Sequence, residues 1–321
     1  MGVLVGTAAG DALGAGYEFE PPIADSTPVL MAGGGCLKWA PGEWTDDTSM
    51  AIALAEALVL TVERCGDGID LPSLDELVKR WADWAKDARD AGIQTRAVLK
   101  DAERGASVCG NLGAHQAQDA SQALHEQTGK TAGNGSLMRT SPLALAYLHR
   151  NDAELATAAC DVSALTHYDR TAGEACALWC IAIRHAVLTG KIDIRIGLPS
   201  LSTEAALYWK SKIEDAEAKK PHDFRRNGWV VEAFQAAWSA IATTSSTNDA
   251  NHLEVALEAS VRGGWDTDTV AAIAGGLLGA GYGLSAIPNA WREILHGWPE
   301  IMCADLKSIT LAIVGVNPSV D

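Results

Sequence analysis

Two stretches concentrate the oxygen chemistry of this chain: Trp44-Thr45-Asp46-Asp47-Thr48-Ser49-Met50 and Gly264-Trp265-Asp266-Thr267-Asp268-Thr269. Each runs from a Trp into interleaved Thr and Asp, and each opens onto an apolar helical pattern. Ala51, Ile52, Leu54, Ala55, Leu58 and Val59 follow the first, and Val270-Ala271-Ala272-Ile273-Ala274 follows the second. Taken singly, either one reads as a helix N-terminus, where hydroxyls and carboxylates accept orphan backbone N–H bonds and complement the positive end of the dipole. The repetition, about 220 residues apart, changes the reading. Two helix starts, each presenting a pair of carboxylates, can converge to supply four negative charges and up to five hydroxyls, a cluster too repulsive to persist without cations. All-oxygen ligation suits Mg²⁺, Mn²⁺ or Ca²⁺ rather than zinc, and the charge count suits two ions.

The elements that must position these groups are helical. From Asp46 onward the chain is a succession of helical patterns, near 95–104, 114–127, 136–150, 152–164, 171–189, 203–219, 229–242, 251–262, 268–283 and 303–315. Ser73-Leu74-Asp75-Glu76 has capping-box spacing and introduces another helix through Leu77, Val78, Trp81 and Trp84. Gly, Pro, Asn and Ser punctuate these segments, as in Thr243-Thr244-Ser245-Ser246-Thr247-Asn248. With no set of alternating strands and no break in composition, the expectation is one all-α domain over residues 1–321. The Gly- and Ala-rich segment from Val3 to Phe19 implies a helix pressed close to its neighbours. In it, Asp11 and Glu18 lie two turns apart and share a face if the helix persists; otherwise Asp11 braces a neighbour and Glu18 ends the helix. Residues 20–43 form a long Pro- and Gly-rich loop leading into Trp44, expected to be a lid over the acidic site.

Composition excludes several classes. Hydrophobic residues at 48% and charged residues at 21% place the chain among globular proteins. A net charge of −16 argues against general attraction to nucleic acid or anionic membranes, so a phosphate-bearing ligand must be held locally. The seven cysteines are odd in number and lack a CxxC pair, which reads as buried thiols in a reducing compartment. No signal peptide and no membrane-spanning apolar run is apparent, and a cytoplasmic protein is expected.

Three further motifs are ambiguous alone. In Gly133-Asn134-Gly135-Ser136-Leu137-Met138-Arg139 a glycine turn before a helix can aim N–H groups at a phosphate, with Arg139 as a bidentate donor, or it is a turn capped by Ser136. Thr166-His167-Tyr168-Asp169 is a linking turn or a polar cluster for a sugar or base. His222-Asp223 stands in a charged stretch without matching upstream histidines and reads as surface.

Together with Gly10-Asp11-Ala12-Leu13-Gly14, these motifs occur in an order and spacing that resembles the ADP-ribosylglycohydrolase family over nearly the whole chain. The resemblance implies a compact all-helical fold with a binuclear Mg²⁺ or Mn²⁺ centre. It places Thr45, Asp46 and Asp47 as metal ligands from one side, and Asp266, Asp268 and Thr269 from the other. It assigns the turn Gly133, Asn134, Gly135 and Ser136 to the diphosphate and proximal ribose, and His167 to the adenosine end. Glu18 matches a glutamate that lies beside the metals in some members. Trp265 is a departure, because many members place the first Asp directly after Gly-Gly. The implied reaction is hydrolysis of the bond between ADP-ribose and an acceptor, through an oxocarbenium-like state, with Glu18 or Asp47 accepting the proton of the attacking water. Two rivals share the ligand set: a non-catalytic ADP-ribose-binding protein and a two-metal pyrophosphohydrolase. The ADP-ribosylated acceptor, protein or small molecule, is left open, and its recognition is expected in the loops at 20–43 and 105–132.

Overall fold

The computed structural model describes residues 1–244 and 251–315, with the side chains of 108 and 109 excepted. The chain is all-α: α1 (Gly2–Gly14), α2 (Asp46–Cys65), α3 (Leu71–Asp87), α4 (Ile93–Cys109), α5 (Ala114–Thr128), α6 (Leu143–Ala146), α7 (Asp152–Ala164), α8 (Arg170–Thr189), α9 (Thr203–Glu217), α10 (Val230–Thr244), α11 (His252–Arg262), α12 (Thr267–Tyr282), α13 (Asn289–Ile294) and α14 (Cys303–Ile313). One two-residue hairpin, β1 (His296–Gly297) and β2 (Ile301–Met302), precedes α14. The predicted turn at Ser245 to Asn248 lies outside the described residues.

The centre of the molecule is the pair α1 and α12. Every residue of α1 is buried, as a helix without a polar face must be. Its glycines recur every fourth residue, and each faces the backbone of α12: a Cβ on Gly6 would lie 2.3 Å from the Gly275 carbonyl oxygen, and one on Gly10 would lie 2.0 Å from that of Ala271. Only glycine permits this approach, and it brings Asp11 alongside the start of α12. Around the pair pack α2, α8 and α10. Trp179 of α8 donates through Nε1 to the Ile273 carbonyl of α12 at 2.9 Å, and Trp81 of α3 donates to the Met50 carbonyl of α2 at 3.2 Å. Phe234 of α10 meets Trp179 edge-on at 5.1 Å.

Several expectations are corrected. The pattern at 136–150 is not one helix: Pro142 cannot donate a backbone N–H, and only Leu143–Ala146 continues as α6. Helix α3 begins at Leu71 and is capped by Asp70, which accepts the Ser73 N–H at 2.9 Å, so Ser73 is not the cap. Cys36 and Cys65 are exposed rather than buried. Helix α8 is long and apolar enough to cross a membrane, against the expectation that no segment is, but 67% of that stretch is buried inside the protein, as in a core helix.

Candidate active site

The two acidic stretches do meet. Asp46 and Asp47 occupy the first turn of α2, Asp266 precedes α12 and Asp268 sits in its first turn. In α2 neither Asp46 nor Asp47 caps its own helix, whereas in α12 Asp268 Oδ1 accepts the Thr269 N–H at 2.9 Å. The N–H groups of Thr45 and Thr48 are taken by the two oxygens of Asp11, each at 2.9 Å, and Thr48 Oγ1 donates to the same carboxylate at 2.6 Å. The Asp46 N–H goes to Asp90 at 2.9 Å. Two carboxylates from elsewhere in the chain thus satisfy the start of α2, and Asp46 and Asp47 are released from the capping role that either would ordinarily fill.

The carboxylates here form two triads of oxygens within 4.8 Å of one another, Asp11 with Asp47 and Asp268, and Glu18 with Asp266 and Asp268. Asp268 belongs to both. Thr45 and Thr269 donate to Oδ2 of Asp47 at 3.0 and 3.4 Å, while its Oδ1 is buried without a hydrogen-bond partner. Half-buried Asp46 faces the adjoining cleft beside Asp90. Burial raises the protonation ranges of Asp46, Asp47 and Asp268 well above that of an ordinary carboxylate, and neighbouring carboxylates raise them further. Burial, then Asp266 and Asp90, pushes Glu18 up to about 8. An orphaned anionic oxygen among carboxylates that mainly repel one another is a site that a hard divalent cation fits.

Glu18, Asp46, Asp266 and Thr269 line one end of a 430 Å³ cleft whose other walls are the turn at Gly133 to Gly135, His167 and residues 90–95. Asn134 ties the two ends together, because its Nδ2 donates to Asp266 Oδ2 and to the Asn227 carbonyl, both at 2.8 Å. Asn227 in turn accepts the Asp266 N–H and donates to the Gly264 carbonyl. Ser136 points away from the cleft and accepts from Ser163 Oγ at 2.8 Å. His167 is buried against the glycine turn, where a Cβ on Gly135 would lie 3.1 Å from its Nε2. Phe19 and Trp265, on either side of the cluster, both hold positive φ, 68° and 66°, and are clasped by bonds from Phe19 N to Trp265 O and from Trp265 N to Glu20 O. Such backbone persists only where surroundings over-determine it, and here it fixes the neighbouring Glu18 and Asp266.

Arg139 and two of the loops lie away from the cleft. Arg139 does not reach the cleft: it is fully buried, stacked over Trp81 at 3.9 Å and bonded to Thr166 Oγ1. The loop at 20–43 contributes nothing to the cleft lining and packs on the end of α1 through Tyr17, whose hydroxyl bonds both backbone groups of Leu30. The segment 105–132 does not line it either. Asp11 braces the neighbouring α2, one of the two alternatives its sequence position offered, whereas Asp90 was readable only as a polar residue near a helix end. An acid just before a helix start, as in Asp90-Ala91-Gly92, was the available signal for Asp90.

The sequence profile described as ADP-ribosylglycohydrolase matches residues 1–317. The chain belongs to the ADP-ribosylglycohydrolase family. Among its relatives, an ADP-ribosylarginine hydrolase of Pseudomonas putida (strain GB-1) is 31% identical over 298 residues, covering 91% of this chain and 72% of that one. The ADP-ribosyl-[dinitrogen reductase] glycohydrolase of Rhodospirillum rubrum is 27% identical over 329 residues, covering 99% and 97%. A solved structure titled ADP-ribosylglycohydrolase-related protein complex superposes with a TM-score of 0.74 at 29% identity, over 98% of this chain and 96% of the other. The single-domain helical architecture of this chain is therefore that of its family, and family membership supports hydrolysis of ADP-ribose linkages.

Proposed function

We propose that this ADP-ribosylglycohydrolase is a divalent-metal-dependent enzyme that hydrolyses the glycosidic bond between ADP-ribose and an acceptor, with arginine-linked ADP-ribose its first candidate substrate. The observation that carries the reading is the convergence of two acidic helix starts on Asp268, at one end of a cleft closed at the other by the glycine turn. The name of the Pseudomonas relative supports the arginine linkage.

Asp11, Asp47 and Asp268 would hold one ion, and Glu18, Asp266 and Asp268 a second, with Thr45, Asp46 and Thr269 beside them. When bound, Mg²⁺ or Mn²⁺ supplies Lewis-acid polarisation of ribose hydroxyls and lowers the pKa of water. Gly133, Asn134, Gly135 and Ser136 position the diphosphate and proximal ribose, Ser136 through the shape of the turn. Glu18, in its carboxylate form, accepts the proton of the attacking water, with Asp47 as the alternative acceptor. The new bond from water oxygen to ribose C1″ forms as the bond to the acceptor breaks, and the acceptor leaves with its bonding pair and takes up the proton that the carboxylate accepted from water.

The test is ADP-ribose release from arginine-, serine- and base-linked substrates with Mg²⁺, Mn²⁺ or chelator. Metal-dependent release that Asp46→Ala lowers on the order of 100-fold or more is expected. AMP as the product, or ADP-ribose binding without turnover, would overturn the assignment.

A further inference from the structure

His167 presents a polar atom to the cleft that the fold has left without a partner. The residue is 3% exposed, and its ring lies against the glycine turn. Nδ1 lies 2.8 Å from Thr166 Oγ1, whereas among the described residues nothing bonds Nε2, the nitrogen beside Gly133 and Gly135. The backbone is pinned as well, with His167 N donating to the Ser163 carbonyl at 2.8 Å. What Nε2 offers a ligand depends on which nitrogen carries the proton.

Behind Thr166 stands Arg139, fully buried and stacked on Trp81. It makes no ion pair among the described residues, and its Nε is buried without a partner. Its bonds run from Nη2 to Thr166 Oγ1 at 2.7 Å and from Nη1 to Met50 Sδ at 3.7 Å. A charge this isolated is costly, and burial lowers its pKa to about 9, still protonated at neutral pH. A guanidinium has one property a neutral side chain lacks: it donates and never accepts.

That property sets the direction of every bond in the chain. Thr166 Oγ1 must accept from Arg139, so its own hydrogen is free to donate. Thr166 is fully buried, and His167 Nδ1 is the remaining acceptor within reach of that hydroxyl. Were Nδ1 protonated, the hydroxyl oxygen would face two donors and its own hydrogen would have no acceptor, at the cost of an unmade buried bond. We propose that Arg139 and Thr166 are positioning residues that hold His167 as the neutral tautomer protonated on Nε2, so that it presents an N–H donor to a ligand oxygen seated at the glycine turn. This rests on the reading of the cleft as the ADP-ribose site. It also explains why Arg139, which never reaches the cleft, stands in the same motif as the turn: it acts through Thr166 and His167.

The experiment uses the full chain with ¹⁵N-labelled histidine and long-range ¹H–¹⁵N correlation of the imidazoles, with His167→Gln assigning the resonances and ADP-ribose binding measured calorimetrically. The wild-type spectrum is expected to show Nε2 protonated and Nδ1 unprotonated. Thr166→Ser keeps this pattern and the affinity, whereas Thr166→Val loses the single tautomer and weakens ADP-ribose about tenfold. A wild-type Nδ1–H tautomer overturns the proposal without requiring any variant to fold. A folded Thr166→Val that retains either the tautomer or the affinity overturns it too. If ADP-ribose fails to bind while wild-type Nε2 is protonated, the functional reading falls and the relay stands; if ADP-ribose binds and Nδ1 carries the proton, only the relay falls.

Discussion

Asp11 and Asp47 offer oxygens within 4.8 Å of each other, yet they differ in how fully the fold satisfies them. Asp11 accepts two N–H groups and a hydroxyl at the start of α2, bonds that favour its carboxylate and offset part of the rise to about 6 that burial imposes. Asp47 keeps one buried oxygen with no partner and a protonation range raised by burial and then by Asp11 and Asp46. Asp11→Asn replaces an acceptor oxygen with a donor facing a backbone N–H, and is expected to lower stability by about 1 to 2 kcal/mol. Asp47→Asn is expected to do the reverse without metal, because its amide nitrogen can donate to the carboxylates its oxygen repelled. Chemical unfolding in chelator should show that gain, on the order of 1 kcal/mol, in a variant without turnover. A loss in Asp47→Asn would mean the acidic cluster is not strained when metal-free. His167 supplies the pH dependence. Burial, then the charge of Arg139, holds its folded pKa well below the usual 6.5, so the unfolded chain takes up the proton first. Stability from the neutral ring is complete above pH 6.5 and is lost as pH falls below it, by up to about 1.4 kcal/mol per unit. His167→Asn should flatten that acidic limb relative to wild type; parallel curves from pH 7 to 5 would remove His167 as the source.

At the scale of elements, the site exists because α1 and α12 touch backbone to backbone. A methyl on Gly10 would lie 2.0 Å from the Ala271 carbonyl oxygen, and neither helix can yield without moving Asp11 from Asp268. Gly10→Ala is therefore expected to cost on the order of 3 kcal/mol and to weaken divalent-ion binding, measured by calorimetry in the same sample. Loss of stability with unchanged metal affinity would show that the contact serves the fold alone. Much of this was legible beforehand. The small residues of Val3 to Phe19 announced close packing, and the repeated Trp-Thr-Asp pattern announced two helix starts with a shared purpose. What stayed hidden was partnership across the chain. Whether Asp46 and Asp47 cap their own helix depends on Asp11 and Asp90 arriving from elsewhere, and no local spacing encodes that arrival. The same blindness left Arg139 open as a phosphate ligand: a guanidinium after a glycine turn looks like one until Trp81 and Thr166 are found around it. The loop at 20–43 looked like a lid by length and composition alone, and its anchoring to Tyr17 is again a tertiary contact.

For the molecule as a whole, the acidic cluster joins parts of the chain that are far apart in sequence: Thr269 Oγ1 reaches Asp47 Oδ2 across 222 residues. Ions held there would bridge α1, α2 and α12, the helices around which the rest packs, so metal and fold should be linked in global unfolding rather than in local order near one loop. A ligand that binds only the folded chain adds about 2.7 kcal/mol at a hundredfold excess over its Kd. Mg²⁺ or Mn²⁺ at that excess should therefore raise the midpoint of the whole cooperative transition, and chelator should return it. Because Asp268 belongs to both triads, Asp268→Asn should abolish most of the metal-dependent increment, whereas Asp46→Ala, outside either triad, should leave more of it while still losing turnover. The contrast between the two variants separates holding the ions from using them. Equal loss of the increment in both would place Asp46 among the groups that hold the metal, and no increment in wild type would remove the metal from this protein's stability altogether.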